Sequence, residues 1–319
     1  MTTHDTVTVA GAGTMGPGIA QTFAARDYRV TLADISDDAL TTARQTIEAN
    51  LAQETRLGLI SEDNAARILG RIGFTSDIPK AIAACDIIVE AISEKPAVKT
   101  GFFETVAAHA PVDAVVWSNT SSLDVFALCP VALRGRLMIV HWFAPPQILP
   151  LVEVVRGEMT PEALIDDTVA RLRQMGKAPV VLQKFIPGFI INRLLRALGR
   201  EAFHLIDNGY TTAQDLDVAA RASLAMRMMV LGIVQRYDFT GLDLSVANLK
   251  NPDFFDAPVD LSPRTLSDLA DQGKTGVRAG QGFYDYSHTT PAEAAAARDD
   301  LLWKIMAQFG DLATAERNV

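Results

Sequence analysis

Thr6-Val7-Thr8-Val9-Ala10-Gly11-Ala12-Gly13-Thr14-Met15-Gly16 is the stretch on which the reading of this chain turns. An apolar strand runs straight into Gly-x-Gly-x-x-Gly, and the helix that follows carries its apolar positions at Ile19, Ala20, Phe23 and Ala24. In that context Gly11 permits the tight turn, Gly13 lets backbone approach a pyrophosphate, and Gly16 lets helix and strand pack closely. The helix N-terminus then faces the phosphate charge, with Thr14 and Met15 in the same cradle. A second apolar run, Arg29 to Ala33, ends in Asp34, whose carboxylate can accept hydrogen bonds from both hydroxyls of a ribose. Ile35 and Ser36 follow where a 2'-phosphate would need a cation, so the expected cofactor is NAD, not NADP. The plainer reading is an ordinary glycine turn with a solvated strand end.

Outward from this unit, short Val/Ile-rich runs alternate with helical stretches: 86–91, 114–117, 137–141, 151–155 and 179–182. Such alternation predicts an α/β fold, a Rossmann-type doubly wound and mostly parallel sheet covered by helices. Between Ala33 and Phe74 the pattern is helical, Asp37 to Arg56 and then from the cap-like Ser61 to Leu69, which predicts a helical hairpin inserted in the sheet domain. Beyond Pro187 the strand signal stops. Pro187 is expected to open a long helix closed by Asn208 and Gly209, followed by helices from Thr212 and around 229–238, 262–272 and 291–309. The expected division is residues 1–186, a NAD-binding domain, and 187–319, a smaller all-helical substrate and dimerisation domain.

The 319 residues carry 29 Lys and Arg against 38 Asp and Glu, a net charge of -9 that repels phosphate backbones and argues against a nucleic-acid partner. No apolar run approaches the ~18 residues a membrane helix needs, and the N-terminus lacks a basic leader, which reads as cytoplasmic. The two cysteines, Cys85 and Cys129, sit among apolar residues and are expected to be buried, reduced thiols; no Cys/His spacing suggests a metal.

Of the five histidines, His4 lies in the N-terminal tail, His109 and His204 in helical stretches, and His288 after an aromatic run. His141 differs: it ends a strand, at the edge where doubly wound sheets place their sites. Glu153, twelve residues on, stands inside Leu151-Val152-Glu153-Val154-Val155, and a carboxylate in an apolar strand must be paired or its desolvation costs several kcal/mol. A chain returning through Pro145, Pro146 and Pro150 could bring Glu153 to the His141 imidazole and raise its basicity. The alternative is an edge strand with both groups solvated.

Several motifs together resemble the 3-hydroxyacyl-CoA dehydrogenase family, in order and along nearly the whole chain: Gly11 to Gly16, Val89 to Ile92, Ser118 to Leu123, His141 to Phe143, Leu151 to Val155, Pro187 to Arg193 and Gly280 to Tyr286. The resemblance implies a His141–Glu153 catalytic dyad, with Ser121 between the substrate hydroxyl and the nicotinamide and Asn192 lining the substrate site. It places Ala91, Glu94, Lys99 and Asn119 against the cofactor, and implies a homodimer acting on 3-hydroxyacyl-CoA. From the residues alone, Ser121 could instead cap a helix, Asn192 fill a polar niche, and Glu94 and Lys99 form a solvated pair.

The pattern is broken in three places. Ala144 stands where the family carries an Asn that helps hold the cofactor; Leu231-Gly232-Ile233-Val234-Gln235 replaces the usual Met-Gly-Pro-x-Glu; and the first lysine is Lys80, so the hairpin offers CoA only Arg44, Arg56, Arg67 and Arg71. Arg for Lys is the simple explanation. Another is a free hydroxy acid or other non-CoA alcohol, as in the similar carnitine, gulonate and pyridine-alcohol dehydrogenases, whose carboxylate Arg227 could meet. A third is a non-catalytic NAD-binding protein like the lens lambda-crystallins, against which retention of Ser121, His141, Glu153 and Asn192 argues.

Overall fold

The computed structural model describes residues 6–314; residues 1–5 and 315–319, and with them His4 and the N-terminal start, lie outside the described residues. The chain divides into two compact units, Met1–Ile190 and Ile191–Val319.

Unit 1 begins with β1 (Thr6–Ala10), α1 (Gly16–Ala24) and β2 (Arg29–Ala33). The hairpin α2 (Asp37–Arg56) and α3 (Glu62–Gly70) follows, then β3 (Ile72–Thr75), α4 (Ile78–Ile82), β4 (Ile87–Glu90) and α5 (Pro96–His109). The unit continues with β5 (Val115–Ser118), α6 (Val125–Leu128), β6 (Leu137–Trp142), β7 (Leu151–Val155), α7 (Glu162–Gln174) and β8 (Ala178–Leu182). Among the described residues the strands form one eight-stranded sheet in the order β3-β2-β1-β4-β5-β6-β7-β8. Its first six positions are the doubly wound order, and only β6 and β7 pair antiparallel. The central strands are apolar on both faces because both are covered. One face packs Ile19 and Phe23 of α1, Ile47 and Leu51 of α2 and Leu172 of α7. The other packs Ile82 of α4, Phe102 and Phe103 of α5 and Val125 of α6. Cys85 and Cys129 are buried free thiols, and burial raises both above the ordinary thiol range.

Ser36 and Ser61 start the hairpin helices by accepting hydrogen bonds from the N–H groups of Ala39 and Asn64. The hairpin is tied to α1 by buried polar groups: Gln21 donates to Glu54 (2.6 Å) and accepts from Asn50 (3.1 Å). Burial pushes the Glu54 carboxyl up to about 7 against the opposing effect of the Gln21 bond. The sequence pattern did not mark β3, a four-residue strand holding Gly73 that pairs with β2 from Val30↔Ile72 to Ala33↔Thr75.

Unit 2 consists of α8 (Ile191–Asp207), α9 (Ala213–Ala219), a π-helical stretch (Ala220–Ala225), α10 (Met226–Leu231), α11 (Gln235–Thr240), α12 (Leu242–Leu249), α13 (Arg264–Asp271) and α14 (Pro291–Thr314). Two expectations are corrected here. The helix does not start at Pro187: Gly188 and Phe189 both have positive φ, at 78° and 50°, so the chain turns and α8 starts only at Ile191. The helix expected over 229–238 is two helices, because Gly232, at φ 69°, ends α10. Among the described residues no helix is long and apolar enough to cross a membrane.

Candidate active site

The carboxyl edge of the sheet gathers Ala10, Glu90 and Ser118 in one register row, with Ile139 beyond them and His141 two residues further along β6. Between β1 and α1 lies the glycine-rich turn. Gly11, at φ 107°, is tied by its N–H to the Ala33 carbonyl (2.7 Å), and a Cβ there would collide with the Ala91 carbonyl. At Gly13 a Cβ would meet nothing within 4 Å, so this stretch of backbone, exposed with Thr14, is open to an approaching phosphate. Met15 is partly exposed beside it. The open backbone, the helix N-terminus behind it and the carboxylate at the end of β2 fit a dinucleotide. Asp34 braces this cradle: Oδ2 accepts from Ala12 N–H (2.8 Å) and Oδ1 from Ser36 N–H (3.0 Å).

Beneath the ends of β4 and β5 lies a buried ionic network. Lys99, 1% exposed, donates to Glu90 (2.6 Å) and pairs with Glu94 (3.1 Å). The solvated-pair reading of Glu94 and Lys99 is thereby corrected: α5 carries Lys99 inward because the fully buried Glu90 needs a cation. Glu90 also accepts from the Ser118 hydroxyl (2.5 Å) and Ile92 N–H (3.1 Å); burial raises its carboxyl while Lys99 and these donors favour the anion. Glu94 gathers the loop after β5, accepting from Thr120 Oγ1 (2.6 Å), Ser121 N–H (2.9 Å), Ser121 Oγ (3.2 Å) and Ser122 N–H (3.2 Å). Partial burial opposes ionisation of Glu94, but Thr120, Lys99 and the Ser121 N–H hold its carboxyl below the usual range. Ser121 therefore lies on Glu94 and Ala91 is half-buried behind the fingerprint turn. Asn119 spans the strand ends, its N–H donating to Glu90 O (2.7 Å) and its side chain accepting from Trp142 N–H (2.8 Å).

The dyad forms by register. β7 returns antiparallel so that Glu153 lies opposite His141, and Glu153 Oε2 is 2.9 Å from His141 Nδ1. Both are buried, Glu153 at 0% and His141 at 6% exposure, so the solvated-edge reading of the pair is excluded. The imidazole sits between Phe143 and Phe189, with ring centroids at 4.5 and 5.4 Å. One partner was missed by sequence reasoning: the backbone N–H of Ile190 donates to Glu153 Oε1 at 2.9 Å. Phosphate cradle, strand-edge carboxylate and a buried imidazole paired to a carboxylate make this edge competent for hydride transfer coupled to proton transfer.

The comparisons decide the family. Residues 6–185 match the model of the 3-hydroxyacyl-CoA dehydrogenase NAD binding domain and residues 188–286 that of its C-terminal domain. The chain belongs to the 3-hydroxyacyl-CoA dehydrogenase family.

As a member of that family it is an NAD-dependent oxidoreductase. It is 30% identical over 304 residues to a 5-formyl-3-hydroxy-2-methylpyridine 4-carboxylate 5-dehydrogenase of Mesorhizobium japonicum, covering 94% of this chain and 96% of that one. It is 32% identical over 287 residues to a probable 3-hydroxybutyryl-CoA dehydrogenase of Bacillus subtilis, covering 89% and 98%. Among solved structures, a 5-formyl-3-hydroxy-2-methylpyridine 4-carboxylic acid 5-dehydrogenase, described as an NAD+-dependent dismutase, superposes with a TM-score of 0.83 at 29% identity, covering 98% of this chain and all of that one. An (S)-3-hydroxybutyryl-CoA dehydrogenase from Ralstonia eutropha gives 0.70 at 27% identity, covering 89% and 99%.

Where this member departs from the family pattern, the structure shows what the altered residues do. Arg44 pairs with Glu48 (3.1 Å) and lies over the Phe74 ring, and Arg67 and Arg71 both bind Asp27. Three hairpin arginines are thus already engaged within the chain. Ala144 is exposed beyond the dyad strand. In unit 2, Asn192 stands in the first turn of α8 and Arg227 is exposed on α10, its Nε donating to the Ser223 carbonyl (3.4 Å).

Proposed function

We propose that this chain catalyses the reversible NAD-dependent oxidation of the 3-hydroxyl of a 3-hydroxyacyl-CoA, with His141 as general base. The observation that carries the reading is the 2.9 Å contact between His141 Nδ1 and the fully buried Glu153, at the sheet edge that holds the nucleotide cradle. Bound NAD supplies the hydride acceptor. With Glu153 accepting at Nδ1, the lone pair at His141 Nε2 is available for the substrate hydroxyl proton. Ser121, released from Glu94, offers its hydroxyl to the same oxygen, and by the family resemblance Asn192 is assigned to substrate binding. Oxidation therefore needs neutral His141 and reduction needs it protonated, so oxidative kcat/KM rises with pH while the reductive rate falls over the same range.

A second reading, a small carboxylate-bearing alcohol without CoA, is favoured by two observations: the higher TM-score and fuller coverage of the pyridine-carboxylate dehydrogenase, and the hairpin arginines already committed to Glu48 and Asp27. In that reading Arg227 meets the carboxylate. The deciding experiment is NADH formation with a panel of 3-hydroxyacyl-CoAs against the matching free acids and 3'-dephospho-CoA esters. If a free acid turns over comparably and the 3'-phosphate makes no difference, the CoA reading falls. For the dyad, His141→Ala should lose on the order of 10² to 10⁴-fold in rate with NADH binding retained. Near wild-type turnover in His141→Ala would assign the base elsewhere. A homodimer is proposed on the apolar surface of unit 2, where Phe239, Leu249, Phe254 and Leu261 are all more than half exposed.

A further inference from the structure

The proposed chemistry leaves the turn Gly188-Phe189-Ile190 without a role. Phe189 has φ 50°, a conformation that costs any residue with a Cβ and is ordinarily left to Gly or Asn. It follows Gly188 at φ 78°, and its N–H closes the turn on the Ile186 carbonyl at 3.0 Å. The strain is held by burial: Phe189 is 1% exposed, its ring packed against Phe185 and against the His141 imidazole, at 6.1 and 5.4 Å between centroids. What the turn delivers is the next backbone N–H, 2.9 Å from Glu153 Oε1.

That bond acts on the dyad through the charge state of Glu153. The carboxyl is fully buried between Val152 and Val154, with Oε1 on the Ile190 N–H and Oε2 on His141 Nδ1. A protonated Glu153 could donate to Nδ1 and leave the proton of neutral His141 on Nε2, the tautomer that cannot act as a base toward substrate. An N–H donor on Oε1 shifts the balance, because its bond to a carboxylate is about twice as strong as its bond to a neutral carbonyl. With Glu153 ionised, Oε2 accepts from Nδ1–H and Nε2 carries the basic lone pair.

We propose that the Gly188-Phe189-Ile190 turn is a positioning element for the dyad, strained so that the Ile190 N–H keeps Glu153 ionised and His141 in the Nδ1–H tautomer. The proposal rests on the dyad reading. Ile190 itself is a positioning residue through its backbone, which makes its side chain free to vary. The conformation at 189 is the property that matters, and residues differ in their tolerance of it.

The test compares Phe189→Gly, which accepts positive φ without a ring, with Phe189→Val, whose branched Cβ opposes it. Phe189→Ala is measured beside them as a milder opponent of positive φ, should Phe189→Val not fold. The first readout is the ¹⁵N NMR signature of the His141 imidazole in substrate-free protein, which needs no turnover. The second is the pH dependence of oxidative kcat/KM, with NADH binding as the check on folding. Phe189→Val and Phe189→Ala should lose the Nδ1–H signature, fall at least tenfold in kcat and show a displaced pH profile. Phe189→Gly should keep both the signature and the profile. If the folded Val or Ala variant keeps the wild-type tautomer and profile, or if the Gly variant loses them as fully, the turn does not position the dyad. An active His141→Ala would instead remove the dyad reading itself, an outcome read from turnover and distinct from the tautomer that the NMR arm reports in the Phe189 variants.

Discussion

Lys99→Met tests whether the buried network under the cofactor edge holds that edge together. The substitution preserves length and apolar stem but withdraws the cation that lies 2.6 Å from Glu90 and 3.1 Å from Glu94. Glu90 is 0% exposed, so its charge has no route to solvent, and removing one member of a buried pair costs about 3–5 kcal/mol. The cost depends on pH. Burial already raises Glu90, and without Lys99 its folded-state carboxyl rises further above its unfolded value. A raised carboxyl contributes stability that is present below its unfolded value near 4.5 and lost as pH rises through the folded one, so the deficit should be smaller at pH 5 than at pH 8. Adding Glu90→Gln removes the stranded charge and should recover at least ~2 kcal/mol of the deficit, since neutral replacement of a whole pair is far cheaper than breaking it. The assay is urea unfolding followed by Trp117 and Trp142, both 1% exposed in unit 1, in a Trp303→Phe background. Because Glu94 loses its cation, the loop carrying Ser121 should also loosen and KM for NAD should rise. An unfolding midpoint equal to that of the wild type, or a double variant no more stable than Lys99→Met, would refute the argument.

Two other substitutions probe the cradle and the hairpin. Asp34→Ala should weaken NADH binding by roughly 1–3 kcal/mol in a fluorescence titration, losing the ribose bonds and the brace on Ala12 N–H, while wild-type protein should bind NADPH more weakly than NADH; equal NADPH and NADH affinity would contradict the Asp34 assignment. Glu54, pushed up to about 7 from 4.5, contributes stability that is full below pH ~4.5 and lost as pH rises through ~7, so Glu54→Gln should be the more stable protein at pH 8 by up to roughly 3 kcal/mol and show a flatter stability profile between pH 5 and 7. Thermal unfolding at pH 5 and pH 8 measures it.

What could be read in advance was what one short segment states by itself. The Gly11–Gly16 turn, Asp34 at the end of β2 and the Ser36 and Ser61 caps are local patterns with a mechanism each. The dyad was legible because a charge in an apolar strand demands a partner and strand alternation told which face it occupied. The network at Lys99 was not, since nothing in the spacing of 90, 94 and 99 shows that α5 turns its lysine inward. β3 escaped because four residues with a glycine carry little periodicity. The Ile190 donor was invisible in principle: a backbone N–H has no letter, and a Phe at positive φ looks like any other Phe. Pro187 misled for a related reason, since the helix-opening preference of proline says nothing about the two left-handed residues that follow it.

The seam between the units matters to anyone who recombines them. Exchanging helical units among relatives is a direct way to retune substrate choice, and the natural splice by motif falls at residue 187, just inside the conspicuous proline. Such a chimera would take the Gly188-Phe189-Ile190 segment, and with it the backbone donor to the native Glu153, from the other parent. A splice after Ile190, where the compact units divide, leaves the proton-handling parts under one parent. Two chimeras that differ only in this segment should therefore differ in rate where the second parent carries a residue at 189 that opposes positive φ, while sharing the same substrate preference.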